Sequence, residues 1–330
     1  MFDLKVAVIG AGHHAQAHFS MIAAEPAMRL VGVAELDAER LARAKADHKP
    51  EVASTDYREM LDRTRPDVVY VEALPGHLLP IVLDCIERGI HTSVEKSPGM
   101  HSGETEQMLV AARSGPAKVI VSFNRRYFPR VLAVKQLVLA RGGAVHCAAT
   151  YNKPHWGWAD SPGAPIPAPI ISDAIHLVDL LRWLAGDTLD QAADVATVYA
   201  ERWESRPGTD RHNAVFTFAN GRCGVMMSHY GVGFRIQRSE VHAEGFSAYM
   251  DLTKTETGGR PPGFALFADG APHEQPLDLD AVGGADFNET RHLVECIEQD
   301  RQPWSHLADA LETMRLCEAI NAGQKGTLAT

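Results

Sequence analysis

A glycine-rich turn after the first apolar segment limits the fold more than any other feature of the sequence. Gly10 and Gly12 follow the β-branched run "KVAVIG", and Ala15 takes the third small position of a G-x-G-x-x-G/A pattern that opens a helical segment. The first glycine of this pattern allows a tight turn, the second lets the backbone approach a pyrophosphate, and the small third residue lets the helix pack closely on the sheet. Because a strand precedes it and a helix follows, the pattern predicts a dinucleotide-binding βαβ unit rather than an ordinary strand–helix turn.

The second apolar segment, "RLVGVAEL", ends in an acidic residue that bears on the choice of cofactor. Glu35 stands where a carboxylate accepts hydrogen bonds from the ribose hydroxyls of NAD and repels the 2′-phosphate of NADP. The next residue is Leu36 rather than an arginine that would bind that phosphate. We therefore expect NAD, with NADP disfavoured, although an acid at a strand end also suits a helix cap or a solvent-facing position. His13 and His14 are expected to flank the phosphates or to face solvent.

The order of predicted elements divides the chain into two domains. Strand-like and helix-like segments alternate through residues 1–123, which is typical of a doubly wound parallel sheet covered on both faces, an α/β domain. After an opening helix, residues 124–330 carry strand-like runs without helices between them, and "FANGRC" predicts a hairpin turn at Asn220-Gly221. Such runs indicate an α+β domain with a mostly antiparallel sheet. Two helical segments close the chain, and the last can pack back on the first domain.

Composition excludes several classes of partner. The 330 residues carry 32 basic and 42 acidic side chains, a net charge of −10, which argues against nucleic acid or an anionic membrane as a main partner. The five cysteines are scattered, as expected for reduced thiols in the cytoplasm rather than disulfides or a zinc site. No apolar run reaches membrane-spanning length. Because "LKVAVIG" begins within a few residues of the N-terminus, we expect no signal peptide.

The segment "IISDAIHLVDLLRWLAG", residues 170–186, predicts a helix that is apolar on nearly every face and therefore buried. Asp173, His176 and Asp179 occur in it at three-residue intervals, which would place them on neighbouring positions of one helix face. A buried carboxylate or imidazole is costly unless a partner satisfies it. We expect Asp179 and Arg182 to form structural pairs, whereas His176 has no evident structural need.

Four segments together resemble the Gfo/Idh/MocA family of nucleotide-dependent oxidoreductases, which includes glucose–fructose oxidoreductase and inositol dehydrogenases. They are "VIGAGHHAQAH", "VEKSP", "SFNRRYFP" and "DAIHLVDLLRWLAGD", and the similarity extends over essentially the whole chain. The resemblance implies an N-terminal Rossmann domain and a C-terminal α+β domain, whose open-faced sheet supports homodimers or homotetramers. It also implies hydride transfer between NAD(P) and a hydroxyl carbon of a sugar, polyol, inositol or related small molecule.

The resemblance also implies which residues form the site. The EKP motif of the family maps onto Glu95, Lys96 and Ser97, so the lysine is retained and the proline is not. The active-site helix matches at His176, but the family aspartate four residues earlier is Ser172 here. Either Asp173, next to it, has taken over that role, or the role has been lost from this chain. Further cofactor contacts are implied for a loop after the third strand and for the domain junction, namely Leu74, Pro75, His77 and Asn124, and further substrate contacts for Asn124 and Tyr127.

The chemistry of alcohol oxidation gives these residues roles. The hydroxyl proton must leave as hydride departs, and histidine has a pKa near working pH, so His176 is the candidate acid/base. Lys96 would stabilise the alkoxide and orient the substrate oxygen. Asp173 would orient the imidazole or bind a substrate hydroxyl. Trp156 and Trp158, in a proline-rich loop, are either a substrate-stacking lid or loop anchors. We expect no metal, because no carboxylate-rich set at ligand spacing accompanies the histidines.

Three functions remain open on the sequence. The first is an NAD-dependent dehydrogenase or reductase acting on CH–OH groups. The second is an NAD-dependent glycoside hydrolase of the same family, which would show no net accumulation of NADH. The third, least favoured because Lys96 and His176 are both present, is a non-catalytic NAD-binding regulatory protein.

Overall fold

A computed structural model describes residues 3–155, 166–205, 209–253 and 263–328 of the chain. Its contacts divide the chain into two units. The first unit comprises Met1–Ser122 together with Asn288–Ala308, and the second comprises Phe123–Phe287 together with Asp309–Thr330. The first unit is therefore discontinuous in sequence, since a segment near the C-terminus returns to it.

The first unit is built on a sheet of six parallel strands in the order β3-β2-β1-β4-β5-β6. This order is that of the doubly wound dinucleotide-binding fold, with its switch point between β1 and β4, and it confirms the predicted α/β class. The central strands are buried on both faces and read as continuous apolar runs. The strands are β1 (Leu4–Ile9), β2 (Met28–Ala34), β3 (Val52–Ser54), β4 (Val68–Val71), β5 (His91–Val94) and β6 (Val119–Val121).

Helices connect these strands, and side chains cap several of them. Asp37 accepts a hydrogen bond from the backbone N–H of Arg40, and Asp56 accepts one from that of Arg58, so each begins a helix. Neither the strand β3 nor the helix that follows it, Tyr57–Thr64, was predicted from the sequence. The helices are α1 (Ala15–Ala24), α2 (Ala38–His48), α3 (Tyr57–Thr64), α4 (Pro75–Glu87) and α5 (Ser102–Ala112).

The second unit is built on a nine-stranded sheet in the order β14-β13-β12-β11-β7-β10-β9-β8-β15. Only the β7–β10 pair is parallel, so the expectation of a mostly antiparallel sheet is confirmed. The predicted hairpin joins β9 to β10, and Gly221 adopts the positive φ of 84° that its turn requires. The strands are β7 (Ala144–Lys153), β8 (Val195–Glu204), β9 (Asp210–Phe218), β10 (Cys223–Tyr230), β11 (Ile236–Ala243), β12 (Phe246–Asp251), β13 (Phe264–Ala268), β14 (Ala271–Pro272) and β15 (Lys325–Thr327).

One face of the nine-stranded sheet is covered by helix. The helices α6 (Pro129–Leu139), α7 (Pro169–Ser172) and α8 (Ile175–Ala185) belong to this unit, and α8 lies against β7, β10 and β11. Every residue of α8 is buried, as the apolar pattern predicts. Alternate residues of the strands point away from α8, and several large apolar side chains on that opposite face are exposed.

Two helices follow the sheet. The helix α9 (Glu289–Glu298) lies in the first unit, where Asn288 caps it by accepting from the backbone N–H of Thr290. The helix α10 (Leu307–Asn321) lies mostly in the second unit. Among the described residues, no helix combines the length and apolarity that crossing a membrane requires.

Candidate functional site

The glycine turn lies at the carboxyl edge of the parallel sheet, where doubly wound folds bind ligands. Gly10 has a φ of 95°, and a Cβ there would clash with the carbonyl oxygen of Glu72, so glycine is required. A Cβ on Gly12 would meet no atom within 4 Å, whereas Ala15 is buried against the sheet. The turn therefore fits a dinucleotide pyrophosphate: its backbone is open at the second glycine and tight at the first and third positions.

Glu35 lies directly against this turn. Its Oε2 accepts a hydrogen bond of 2.8 Å from the backbone N–H of Ala11, and its Oε1 accepts one of 2.9 Å from that of Asp37. Burial raises the pKa of Glu35, but the hydrogen bonds from Arg40, Asp37 and Ala11 outweigh this effect and leave the pKa below its usual value. The side chain is thus an ionised acceptor held beside the turn, as recognition of a ribose requires.

Arg40 is a neighbour of Glu35 that the sequence analysis missed. Its Nη2 lies 3.0 Å from Oε1 of Glu35, and 46% of its side chain is exposed. Leu36, which directly follows Glu35, is 86% exposed. A guanidinium therefore lies close to Glu35 even though Leu36 is not an arginine, and the expected preference for NAD depends on the carboxylate of Glu35 alone.

The other predicted cofactor residues of the first unit occupy the loops around this edge. His13 and His14 are exposed at the start of α1, with their ring centroids 5.8 Å apart. Leu74 precedes α4, Pro75 is its first residue and is buried, and His77 is exposed on its first turn. All five follow parallel strands at their carboxyl ends.

Glu95 and Lys96 follow β5 at the same edge. The Nζ of Lys96 lies 3.7 Å from Oε1 of Glu95, and 13% of the lysine side chain is exposed. Ser97, which replaces the family proline, is fully buried, and the Lys96–Ser97 peptide bond is cis. The lysine is therefore held close to the carboxylate and keeps a small exposed surface.

A buried acidic cluster beside Lys96 was not predicted. His18 Nε2 lies 3.3 Å from Oε1 of Glu72, and the ligand atoms of His18, Glu72 and Glu95 lie within 4.8 Å of one another. Only 1% of the Glu72 side chain is exposed, and neither of its oxygens has a hydrogen-bond donor among the described residues. Burial raises the pKa of Glu72 well above its usual value, the charges of Glu95 and Glu289 raise it further, and Lys96 opposes them. The geometry could accept a cation, but protonation of Glu72 also removes the excess charge.

In the second unit the structure corrects the predicted placement of Asp173. The segment is not one helix: α7 ends at Ser172, Asp173 has φ −134° and ψ −57°, and α8 begins at Ile175. Asp173 is therefore not one helical turn before His176. The reason is its carboxylate, whose Oδ1 accepts from Tyr151 Oη at 2.5 Å and whose Oδ2 accepts from Tyr230 Oη at 2.9 Å and from Lys153 Nζ. These sheet residues hold Asp173 outside the helix.

The remaining predicted residues of this unit differ in exposure. His176, the second residue of α8, is 8% exposed, whereas Tyr127 is fully buried at 1%. Asn124 is half-buried, and its Oδ1 accepts a hydrogen bond of 2.7 Å from Arg125. Ser172, at the position of the family aspartate, donates to the carbonyl of Ala168 at 3.2 Å. Trp156 and Trp158 lie outside the described residues.

Asp179 and Arg182 form the structural pairs expected of them. Arg126 donates to both oxygens of Asp179 and to Asp309, and Arg182 Nη1 lies 3.1 Å from Asp309. Thr313 donates to Asp179 at 3.2 Å. The four charges balance inside a buried network, which leaves these residues without a catalytic assignment.

Comparisons with known proteins agree with the geometry of both units. A sequence model described as an oxidoreductase family with an NAD-binding Rossmann fold matches residues 4–123. A second model, the C-terminal alpha/beta domain of an oxidoreductase family, matches residues 143–326. Both belong to the set that describes Gfo/Idh/MocA proteins. Together they account for nearly the whole chain.

Individual proteins agree with the family models. Inositol 2-dehydrogenase 4 of Saccharopolyspora erythraea is 30% identical over 258 residues, covering 75% of this chain and 73% of that protein. A levoglucosan dehydrogenase solved with NADH and L-sorbose has a TM-score of 0.81 at 18% identity, over 100% of both chains. An aldose-aldose oxidoreductase of Caulobacter crescentus, solved with glycerol, has a TM-score of 0.78 at 20% identity, over 97% of both chains. At these identities the two structures establish the fold alone.

Proposed function

Since the chain belongs to the Gfo/Idh/MocA family of NAD-binding oxidoreductases, we propose that it transfers hydride between nicotinamide and a hydroxyl or keto carbon of a sugar, polyol, inositol or related small molecule. The observation that carries the proposal is the glycine-specific turn at Gly10 with the carboxylate of Glu35 hydrogen-bonded to it. The inositol dehydrogenase relative supports the substrate class. Residues 1–123 would bind the cofactor and residues 124–330 the substrate, except that residues 288–308 group with the first unit.

Each residue of the proposed site has its own role in the hydride transfer. NAD, when bound, supplies the hydride acceptor. His176 would take the hydroxyl proton of the substrate, and the Lys96 ammonium would stabilise the developing alkoxide. Asp173, which holds Tyr151, Tyr230 and Lys153, would position the substrate through these donors rather than orient His176 from the same helix. Asn124 would contact both the cofactor and the substrate.

The finer assignments form part of the same proposal. The Glu35 carboxylate favours NAD over NADP because it accepts hydrogen bonds from ribose hydroxyls and repels a 2′-phosphate. We propose no metal there: burial raises the pKa of Glu72, and a proton on this carboxyl would remove one of the negative charges of the acidic cluster. Five free cysteines, four of them buried, suit the reducing cytoplasm.

We also propose that the chain forms a homodimer or homotetramer through the uncovered face of the nine-stranded sheet. Cross-strand pairing aligns Tyr199 with Val215, and Val215 with Val225, on that face. Large apolar side chains on it are exposed, and contiguous patches of this kind mark interaction surfaces. They are Tyr199 (57%), Trp203 (40%), Val215 (50%), Met227 (42%), Tyr249 (44%) and Phe267 (40%).

The activity is tested by incubating the protein with NAD and a panel of sugars, polyols, inositols and amino sugars while NADH absorbance is followed. We expect NADH to accumulate in proportion to oxidised product. Release of free sugar from a glycoside without net NADH would instead indicate a hydrolase. Binding of NAD without turnover of any compound in either direction would favour a regulatory protein.

A further inference from the structure

The covered face of the nine-stranded sheet gathers polar side chains at one end of three adjacent strands. Tyr230 of β10 pairs with Lys153 of β7, and Gln237 of β11 pairs with Tyr151 of β7. Arg235 immediately precedes β11, two residues before Gln237, and so lies at the same end. Side chains alternate along strands, which puts this set on the face that α8 covers.

The carboxylate of this set belongs to Asp173, and it already has hydrogen-bond donors and a cationic partner. Asp173 accepts hydrogen bonds from Tyr151, Tyr230 and Lys153. Both tyrosines are buried, which raises their pKa values well above the usual range, and Asp173 raises them further. They therefore remain protonated donors to Asp173 at any physiological pH.

Within this set of described side chains, three are cationic and one, Asp173, is acidic. Arg235 acts electrostatically on both Tyr151 and Tyr230, opposing the rise in their pKa values, and Arg125 acts on Tyr151 in the same direction. Arg125 donates to two neutral amide oxygens, those of Asn124 at 2.7 Å and Gln237 at 2.8 Å. We call Arg125, Lys153 and Arg235 the basic cluster.

Within the basic cluster, Arg235 gives the clearest indication of a ligand. Its Nε is buried and has no hydrogen-bond acceptor among the described residues. It also forms no ion pair with a described carboxylate, and a buried donor without an acceptor is costly. A guanidinium in this state is suited to a bidentate anion such as a carboxylate or a phosphate.

We propose that the substrate carries an anionic group, a carboxylate or a phosphate, which binds to Arg235 and Lys153 at this end of the sheet. This inference rests on the proposed function, because it names the substrate class of the same enzyme. The reacting hydroxyl would lie on the sugar-like part of the molecule, and the anion would fix its orientation.

The test compares matched substrates at constant ionic strength in the presence of NAD. D-Gluconate and D-glucuronate supply carboxylates, D-glucose 6-phosphate supplies a phosphate, and D-glucitol and D-glucose are the neutral counterparts. Each is measured both by NADH formation and by the shift in melting temperature. We expect one anionic class to give a kcat/KM at least about tenfold above its neutral counterpart and a larger thermal shift. The responding class identifies the anion.

The variant Arg235→Gln is compared with Arg238→Gln. Arg238 lies three residues later, within β11 and on the uncovered face, where 52% of its side chain is exposed and it pairs with Asp251 at 3.6 Å. Arg235→Gln should raise KM for the anionic substrate about tenfold or more with little change in kcat, and should leave neutral compounds within about twofold. Arg238→Gln should change neither.

Two results would overturn the inference. One is equal binding and turnover of neutral and anionic counterparts by the wild type. The other is an Arg235→Gln variant that melts earlier yet keeps the anionic preference, which would make Arg235 structural. A third result separates the two proposals. If no compound yields NADH, but anions raise the melting temperature of the wild type and not of Arg235→Gln, the dehydrogenase proposal is wrong and the anion site is supported.

Discussion

The Nε of Arg126 donates a hydrogen bond of 2.7 Å to Oδ2 of Asp179, and neither side chain is exposed to solvent. Removing one partner leaves the other charge buried, so Asp179→Ala should lower the free energy of unfolding by about 3–5 kcal/mol. Glu201→Ala, at the exposed pair with Lys325, should cost less than about 1 kcal/mol. Urea denaturation followed by circular dichroism measures both. Equal losses of unfolding free energy in the two variants would show that burial does not determine how much an ion pair contributes to stability.

The acid/base assignment predicts that Lys96→Ala and His176→Ala each lower kcat by about a hundredfold or more, because each removes a group that acts on the substrate proton or alkoxide. NAD binding, measured by calorimetry, should stay within about threefold of the wild-type affinity for His176→Ala. Lys45→Ala, an exposed lysine on α2 outside the proposed site, serves as the control and should retain the wild-type kcat. Turnover at wild-type rate in either of the first two variants would contradict the mechanism.

Cofactor choice is predicted to depend on the carboxylate of Glu35. Glu35→Ser removes the ribose acceptor and the repulsion of a 2′-phosphate, and it frees Arg40 to bind that phosphate. We expect the ratio of kcat/KM for NAD over NADP to fall by about tenfold or more. Glu39→Ser, which changes an exposed acid next to Arg40 in α2, should leave the ratio unchanged. A wild type that already prefers NADP would make the cofactor assignment wrong.

Glu72 predicts a pH dependence of stability. Burial raises its pKa well above 4.5, so above pH 4.5 the folded state holds a proton that the unfolded state has lost. The wild type should therefore lose stability as pH rises from 4.5 through the folded pKa. Glu72→Gln should remove this decline and be more stable than the wild type at pH 8.

The measurement for Glu72 is thermal or urea unfolding between pH 5 and pH 8. Glu87→Gln, an exposed acid at the end of α4, is the matched control and should follow the wild-type curve. A Glu72→Gln variant with the same pH slope as the wild type would show that Glu72 is ionised in the folded protein.

The uncovered sheet face predicts the oligomeric state. Tyr249 lies in β12 on that face and is 44% exposed. Tyr249→Lys introduces a charge into the proposed apolar interface and should shift the molar mass in light scattering toward the monomer. Lys45→Glu, on α2 of the first unit, changes charge away from this face and should leave the mass unchanged. A monomeric wild type would contradict the interface.

Short sequence patterns correctly predicted the structural features that depend on residues close together in the chain. The turn at Gly10 and the burial of α8 follow from short-range spacing and apolar periodicity. The break at Asp173 did not, because its three donors come from strands distant in sequence. A helical pattern in the sequence cannot show that a sheet competes for one of its side chains.

The convergence of His18 and Glu72 with the predicted residue Glu95 was missed for the same reason. The three meet because β1, β4 and β5 are neighbours that end at the same edge, and His18 lies on the helix that follows β1. A signal was present, since Glu72 and Glu95 each follow directly after a strand. Arg40 was missed because it is five residues from Glu35 in the sequence, and the first turn of α2 places the two side chains in contact.

The discontinuity of the first unit has a consequence for how the chain is made. Ser122 donates to Glu289 at 3.0 Å, Tyr70 donates to Thr290 at 2.9 Å, and Val121 donates to the carbonyl of Ser305 at 2.9 Å. During synthesis these acceptors leave the ribosome only after most of the chain has been translated. The nucleotide-binding half therefore reaches its final form after translation of the other half has begun, and a fragment cut at its apparent boundary would lack a flank of its own sheet.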